Sequence, residues 1–224
     1  MARLGMLVPS SNTVLEPVTA ALLPADGSVT AHVARIRVLR IADDATTQAQ
    51  FEGARMAEAA ELLADAKVDL ILWNGTAAGW LGFAQDAAII TAIEARTGIP
   101  ATTAVIALND RLAALGARRI GLVSPYVEAV ERQIITNYAE AGIDIVAATR
   151  ADLTENTSFA EITPETVAEM VRAVARTPLD AVMILCTNMA GASVAAPLSA
   201  ELGLPVLDSV AVAVEHSLAR LGHG

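Results

Sequence analysis

Residues 179–191 read LDAVMILCTNMAG, and residues 68–79 read VDLILWNGTAAG. Each stretch opens on an apolar residue and an Asp, runs through apolar residues at strand length, and breaks into Thr and Gly. Laid on one another with one gap, they put Asp69 on Asp180, Gly75 on Cys186 and Thr76 on Thr187. Two flanking blocks recur in the same order. LGMLVPSSNTVLE (4–16) lies on IGLVSPYVEAVE (120–131), with Gly5 on Gly121 and Pro9 on Pro125. TGIPATTAVIALNDRLAALG (97–116) lies on LGLPVLDSVAVAVEHSLARLG (202–222) with one gap. Any one match would be weak, but three in order, offset by about 105 to 116 residues, read as an internal duplication. It assigns two lobes, 1–110 and 111–224, with the last helix free to pack back on the first. No Gly/Ser/Pro-rich linker separates them, so they are expected to pack closely.

The segments between the repeats supply the fold class. RLGMLV, VTAHVARIRVL, VDLILW, RRIGLVS, IDIVAATR and LDAVMILC have strand character, while FEGARMAEAAELLADA (51–66) has helical spacing. TPETVAEMVRAVART (163–177) reads as a helix with Thr163 as N-cap and Pro164 at its first position. Alternating strand and helix implies parallel sheets covered by helices. The expected architecture is therefore α/β, two pseudo-symmetric Rossmann-like lobes with parallel sheets. In such sheets ligands bind beyond the carboxyl ends of the strands. The active site belongs in the interlobe cleft, lined by loops Pro9–Asn12, Asn74–Gly79, Pro125–Glu128 and Cys186–Gly191.

Composition excludes several function classes. A net charge of −10 without a basic cluster argues against a nucleic-acid partner. One cysteine in 224 residues excludes an internal disulfide. Nowhere do 18 uncharged apolar residues run together, and the first apolar run ends at Pro9, so neither a membrane span nor a signal peptide is expected. A cytoplasmic location follows as the expectation. His32, His216 and His223 are too scattered for a metal site, and GxGxxG and GxxxxGK[ST] are both absent. His216 falls mid-helix in VAVAVEHSLARL, away from the expected cleft.

Cys186 ends an apolar run at a strand terminus. A free cysteine is often only a small buried hydrophobe; the repeat framework instead turns this one toward the cleft, opposite Gly75. Thr76 and Thr187, with the amides after them, are candidates to open helices or anion-binding nests. A thiol at such a helix start would have a lowered pKa suited to proton transfer. Tyr126 follows the Pro that matches Pro9 and belongs on a cleft loop. Asn12 and Asn188 are open to two roles, capping or carboxylate binding. Trp73 and Trp80 bracket the Gly75 loop as core or as pocket wall, and DLTENTSFAEIT (152–163) is a surface loop or a lid.

With GMLVPSSNTVLEP, CTNM and the duplication in view, the chain resembles the aspartate/glutamate racemase superfamily over its whole length, particularly the maleate isomerase and arylmalonate decarboxylase branches. In racemases and maleate isomerases each lobe supplies a cysteine. Here Gly75 stands in that place in the first lobe. Glycine followed by Thr76, with Cys186 and Tyr126, is similar to arylmalonate decarboxylase; the Ser10-Ser11-Asn12 loop is isomerase-like, and Ala77 replaces a serine typical of the decarboxylase. The resemblance implies a cofactor-independent decarboxylase of malonate-type diacids, with Cys186, Thr76 and Tyr126 catalytic. Pro9, Ser10, Asn12, Gly75, Ala77, Thr187 and Asn188 would bind substrate, a small carboxylate or dicarboxylate. The alternatives are a maleate cis-trans isomerase or Asp/Glu-type racemase, and a non-catalytic small-acid binding protein. A homo-oligomer is compatible with the family.

Overall fold

The computed structural model describes residues 1–51 and 53–223. The first half of the chain runs β1 (Ala2–Pro9), α1 (Leu15–Leu22), β2 (Val29–Ile36), α2 (Ala45–Ala49), α3 (Gly53–Asp65), β3 (Leu70–Trp73), α4 (Ala78–Leu81), α5 (Ala84–Thr97), β4 (Ala101–Thr103) and α6 (Ala104–Leu115). The second half runs β5 (Arg119–Ser124), α7 (Glu128–Glu140), β6 (Asp144–Arg150), α8 (Asn156–Phe159), α9 (Pro164–Val174), β7 (Ala181–Ile184), α10 (Ala192–Leu202), β8 (Val206–Asp208) and α11 (Ser209–Arg220).

Two parallel four-stranded sheets result, ordered β2-β1-β3-β4 and β6-β5-β7-β8. The orders are the same, as the repeated blocks require. Their central strands are buried throughout at Leu70–Trp73 and Ala181–Ile184, because helices cover both faces and leave no polar face to alternate with. The duplicated residues answer duplicated physical demands. A Cβ on Gly5 would meet Val68 Cγ2 at 2.8 Å, and one on Gly121 would meet Leu179 Cδ1 and Val174 Cγ2 at 3.0 Å. Asp69 accepts the Arg3 amide at 2.7 Å, and Asp180 accepts those of Arg118 and Arg119 at 2.8 Å, so each Asp pins the start of the neighbouring strand.

The chain order β1–α1–β2 then back across to β3 places a topological switch point between β1 and β3, and likewise between β5 and β7. Connections leave to opposite sides there, opening a crevice at the strands' carboxyl ends. Helix α11 packs against α1 and α6. Pairs cross between α6 and α11, Arg111 with Glu215 at 3.6 Å and His216 with Asp110 at 3.8 Å. Residue 110 itself lies inside α6.

Two expected elements differ in extent. The strand read over 29–39 ends at Ile36, because its partner β1 ends at Pro9. Residues 37–44 then leave the sheet and cross the cleft mouth. The helix read from residue 51 starts at Gly53. The capped helix at 163 matches its reading: Thr163 accepts the Thr166 amide at 3.2 Å, with Pro164 in the first turn.

Candidate active site

A cavity of about 20 Å³, room for about one water, lies at the facing switch points. Pro9, Gly75, Thr76, Ala77, Tyr126, Cys186 and Thr187 line it, together with Val38, Ile41, Phe51, Trp80 and Asn156. Seven of the expected site residues are thus brought together from loops after β1, β3, β5 and β7. Val38, Ile41, Phe51 and Asn156 were not foreseen. They belong to segments outside the repeats and reach the site only through the tertiary fold. Val38, Ile41 and Phe51 come from the stretch after β2. That stretch is tied across the mouth to residues 154–156 by Ile41 N–H to Thr154 O at 2.8 Å and Asn156 N–H to Leu39 O at 2.9 Å. The polar segment 152–163 therefore forms part of the cover, with Phe159 of its short helix buried.

The chain has seven aromatic residues, and five of them make one continuous chain of contacts here. Trp73 meets Phe51 at 6.4 Å between centroids, Phe51 meets Trp80 at 6.0 Å, Trp80 meets Tyr126 at 5.1 Å and Tyr126 meets Phe159 at 5.6 Å. This packs apolar surface around the cavity and excludes water.

Inside it, the Thr76 and Tyr126 hydroxyls are 2.8 Å apart. Two hydroxyls carry two protons and their mutual bond uses one, so the other is available to a ligand or to the thiol. Cys186 Sγ accepts the Asn188 amide at 3.4 Å. Burial pushes the Cys186 thiol up to about 12; the Asn188 amide and Tyr126 hydroxyl oppose that rise, and the buried Asp208 adds to it. Tyr126 is likewise raised well above its ordinary value, chiefly by burial.

These facts correct the expectation of a lowered thiol pKa. Thr187 does not open a helix, and Thr76 leads only into the one-turn α4, its carbonyl accepting the Gly79 amide at 3.0 Å. Helix α4 begins at Ala78 and is one turn long, and α10 begins at Ala192, five residues beyond Thr187. With only the single turn of α4 at hand, desolvation dominates and the thiol is raised.

Ser10, Asn12 and Asn188 stand behind the cavity wall. Asn12 Nδ2 donates to the carbonyl and hydroxyl of Thr187, both at 3.1 Å, and its Oδ1 accepts the Val14 and Leu15 amides at the entry to α1. Asn188 Oδ1 accepts the Thr13 amide at 3.0 Å and its Nδ2 donates to Asn156 O at 2.6 Å. Thr187 donates onward to Asn74 O at 2.9 Å. Ser10 Oγ accepts the Val38 amide at 3.3 Å. The asparagine side chains thus bind one sheet's loops to the other's rather than facing the cavity, and they fix Thr187 and the backbone around Cys186. His216 lies elsewhere, within α11, 3.3 Å from Thr102 Oγ1.

The two lobes differ most at Gly75. A Cβ there would fall inside Trp73, 2.9 Å from Cη2 and closer still to Cζ2 and Cε2. Residues 73 and 75 share a face because side chains alternate along extended backbone, and the Trp73 ring is fully buried. The position matching Cys186 is therefore filled from behind.

A duplicated α/β chain with a cleft between facing switch points and a buried cysteine on one side has the Asp/Glu racemase-like fold. The arylmalonate decarboxylase family model matches residues 4–224, and the chain belongs to that family. It is 26% identical to a maleate isomerase of Geobacillus stearothermophilus over 98% of this chain and 91% of that protein. To an arylmalonate decarboxylase of Bordetella bronchiseptica it is 28% identical, over 64% of each. A cysteine-to-serine mutant of Nocardia farcinica maleate cis-trans isomerase, with a covalently bound succinylcysteine intermediate, shares the fold with a TM-score of 0.88 at 22% identity, covering 99% of this chain and 93% of that one.

Proposed function

We propose that the protein is a cofactor-independent decarboxylase of malonate-type diacids. The observation that carries this reading is the pairing of Gly75 with Cys186 in one cavity: a single proton donor on one side and no ionisable side chain at the matching place on the other. Two-base racemisation needs an acceptor on one face of a carbon and a donor on the other. Protonation of a carbanion made by loss of CO2 needs only the donor.

One substrate carboxylate would be held by Thr76, the Tyr126 hydroxyl and the backbone amides around Cys186 and Asn188, with Pro9, Ala77 and Thr187 shaping the wall. The other carboxylate would sit among Val38, Ile41, Phe51 and Trp80, poorly solvated, where departure as neutral CO2 is favoured. Its C–C bond breaks, and the electron pair passes into an enediolate stabilised by the hydroxyl and amide donors in the manner of an oxyanion hole. The Cys186 Sγ–H then gives its proton to the carbon, and the thiolate regains one from solvent. A thiol pushed up to about 12 suits this order of events, because it rests as the acid. Entry of a diacid into a cavity of about 20 Å³ requires the segments 37–51 and 152–159 to part.

A second reading, maleate isomerisation, is favoured by the full-length likeness to proteins of that name. It would use Cys186 as a nucleophile, for which the thiolate is needed, and the burial that raises the thiol opposes that form.

The test is incubation with phenylmalonate, methyl-phenylmalonate, maleate, aspartate and glutamate in D2O, followed by NMR. The expected result is CO2 loss from a malonate with one deuteron in the product. Conversion of maleate to fumarate would overturn the decarboxylase reading in favour of the isomerase. Binding that survives Cys186→Ala, with turnover absent from the unmodified protein, would instead make it a binding protein.

A further inference from the structure

We infer that Arg37, Arg40 and Arg55 form an anion-docking site on the outer face of the segment that covers the cleft, where a small dicarboxylate is held before it is admitted. That the docked acid is the substrate rests on the carboxylate chemistry proposed above, which the decarboxylase and isomerase readings share; that the pocket takes a dianion does not.

The side chains of residues 37–41 divide between two sides of the covering segment. Val38 and Ile41 are buried and, with Phe51, line the catalytic cavity. Arg37, Leu39 and Arg40 are exposed, and together with Thr47, Gln50 and Arg55 they line a second pocket of about 280 Å³. That volume approaches the range of small-molecule sites, about 300–1,000 Å³. One stretch of chain thus separates a place where an anion can arrive from the place where it would react.

The pocket is a fixed structure. Gln50 Oε1 accepts the Leu39 amide at 2.9 Å and its Nε2 donates to the Arg40 carbonyl at 3.0 Å, which ties residues 39 and 40 to the end of α2. Thr47 in its lining is buried, and its hydroxyl has no hydrogen-bond partner among the described residues. Arg40 is paired with Asp44 at 2.6 Å, whereas Arg37 and Arg55 have no carboxylate partner among the described residues. Three arginines against one carboxylate leave two positive charges in excess, in a chain whose net charge is −10. The field of such a chain repels an acid in general, and a concave positive site is where the acid is concentrated. The facing cover carries the exposed acids Asp152, Glu155 and Glu161, so the positive charge stands on one side of the mouth only.

The pocket also adjoins the contact that must open. Leu39 and Arg40 line it and make the backbone pairing that closes the mouth: Leu39 O accepts the Asn156 amide, and Arg40 forms an antiparallel bridge with Glu155. An exposed ion pair contributes little on its own. Two unpaired guanidinium groups therefore select a ligand with two carboxylates over a ligand with one.

Arginine Nε–H signals in ¹H–¹⁵N spectra, assigned with Arg37→Gln and Arg55→Gln, test the site without turnover. The probes are malonate and acetate at equal ionic strength. Malonate is expected to shift the Arg37 and Arg55 signals saturably, about 10-fold more tightly than acetate, and saturation should vanish in Arg37→Gln/Arg55→Gln. Equal response to the two acids, or shifts spread evenly over the chain's arginines, would overturn the site. With a malonate-type substrate, kcat/KM of the double variant should fall about 10-fold at about 10 mM ionic strength and converge with that of the natural protein near about 0.5 M salt. An unchanged kcat/KM at low salt overturns the assignment of the docked acid as substrate. Absence of turnover on every acid tried overturns the preceding reading and leaves the spectra to decide the site.

Discussion

The central strand of one sheet ends Leu72-Trp73-Asn74-Gly75, and that of the other ends Met183-Ile184-Leu185-Cys186. Backbone, register and loop direction are shared, so the difference between these stretches isolates what the duplication kept from what it altered. It kept the scaffold that delivers a strand end to the cleft, together with the threonine that follows. It altered the side chain presented there. The first lobe contributes Thr76, hydrogen-bonded to Tyr126 of the second, and the second contributes the thiol. Fold symmetry and chemical asymmetry are independent because parallel-sheet packing constrains the buried strand residues while the residue beyond the last ladder bond is free to vary.

The largest break in this comparison is removal of the thiol. Cys186→Ala should reduce kcat by about 10²–10⁴-fold, the usual loss of a general acid, while Tm falls by only a few degrees, because the change is small and the partner lost by the Asn188 amide is a weak sulfur acceptor. Retention of full turnover would show that the asymmetry of the strand ends has no chemical meaning. Next come the hydroxyls. Tyr126→Phe and Thr76→Val each remove a donor and leave the other without its partner, and each should cost about 10²–10³ in kcat. Because they act as one unit, the double variant should lose far less than the product of the two single losses. Multiplicative losses would separate their roles.

Much of this arrangement was legible before any coordinates. The three repeated blocks gave the two sheets and their common order, since Gly5, Gly121, Asp69 and Asp180 answer demands that recur wherever the same strand packing recurs. Thr163-Pro164 located a helix start by local hydrogen-bonding alone. The polar links between Asn12 and Thr187, and between Thr13 and Asn188, span about 175 positions in sequence and leave no periodic trace. Burial of Cys186, and with it the direction of its pKa, depends on covering segments with no counterpart in the repeat. A thiol near a strand end looks like one near a helix start until the intervening loop is known to run five residues. Phe51 and Phe159 were missed for the same reason, although scarcity was a usable signal: with only seven aromatics in the chain, a cluster of five marks a place.

The smallest expected effect concerns a second pair of equivalent positions, Thr103 and Asp208, which cap α6 and α11. Thr103 caps with its hydroxyl and also donates to the buried Asp86, whereas Asp208 caps directly through Oδ1. Both lobes thus bury a carboxyl with one oxygen lacking a partner among the described residues, and burial raises both acids to about 7. A group whose folded pKa lies above its unfolded value binds its proton more tightly when folded, so its contribution to stability is complete below about pH 4 and is lost as pH rises through 7. Tm should therefore fall between pH 5 and pH 8, and Asp86→Asn or Asp208→Asn should each flatten that fall by about 2–5 °C. The two substitutions should part company at the thiol. Asp208 is among the groups that raise Cys186, and Asp86 is not. Alkylation of Cys186 by iodoacetamide at pH 8–9 should accelerate a few-fold in Asp208→Asn and stay unchanged in Asp86→Asn. Equal rates in the two variants would mean that the Asp208 carboxyl, despite its place beside Ile184 in the sheet register, serves α11 alone. A difference confined to Asp208→Asn would extend the asymmetry of the strand ends one strand further outward, to a carboxyl that adds to the rise burial gives the thiol.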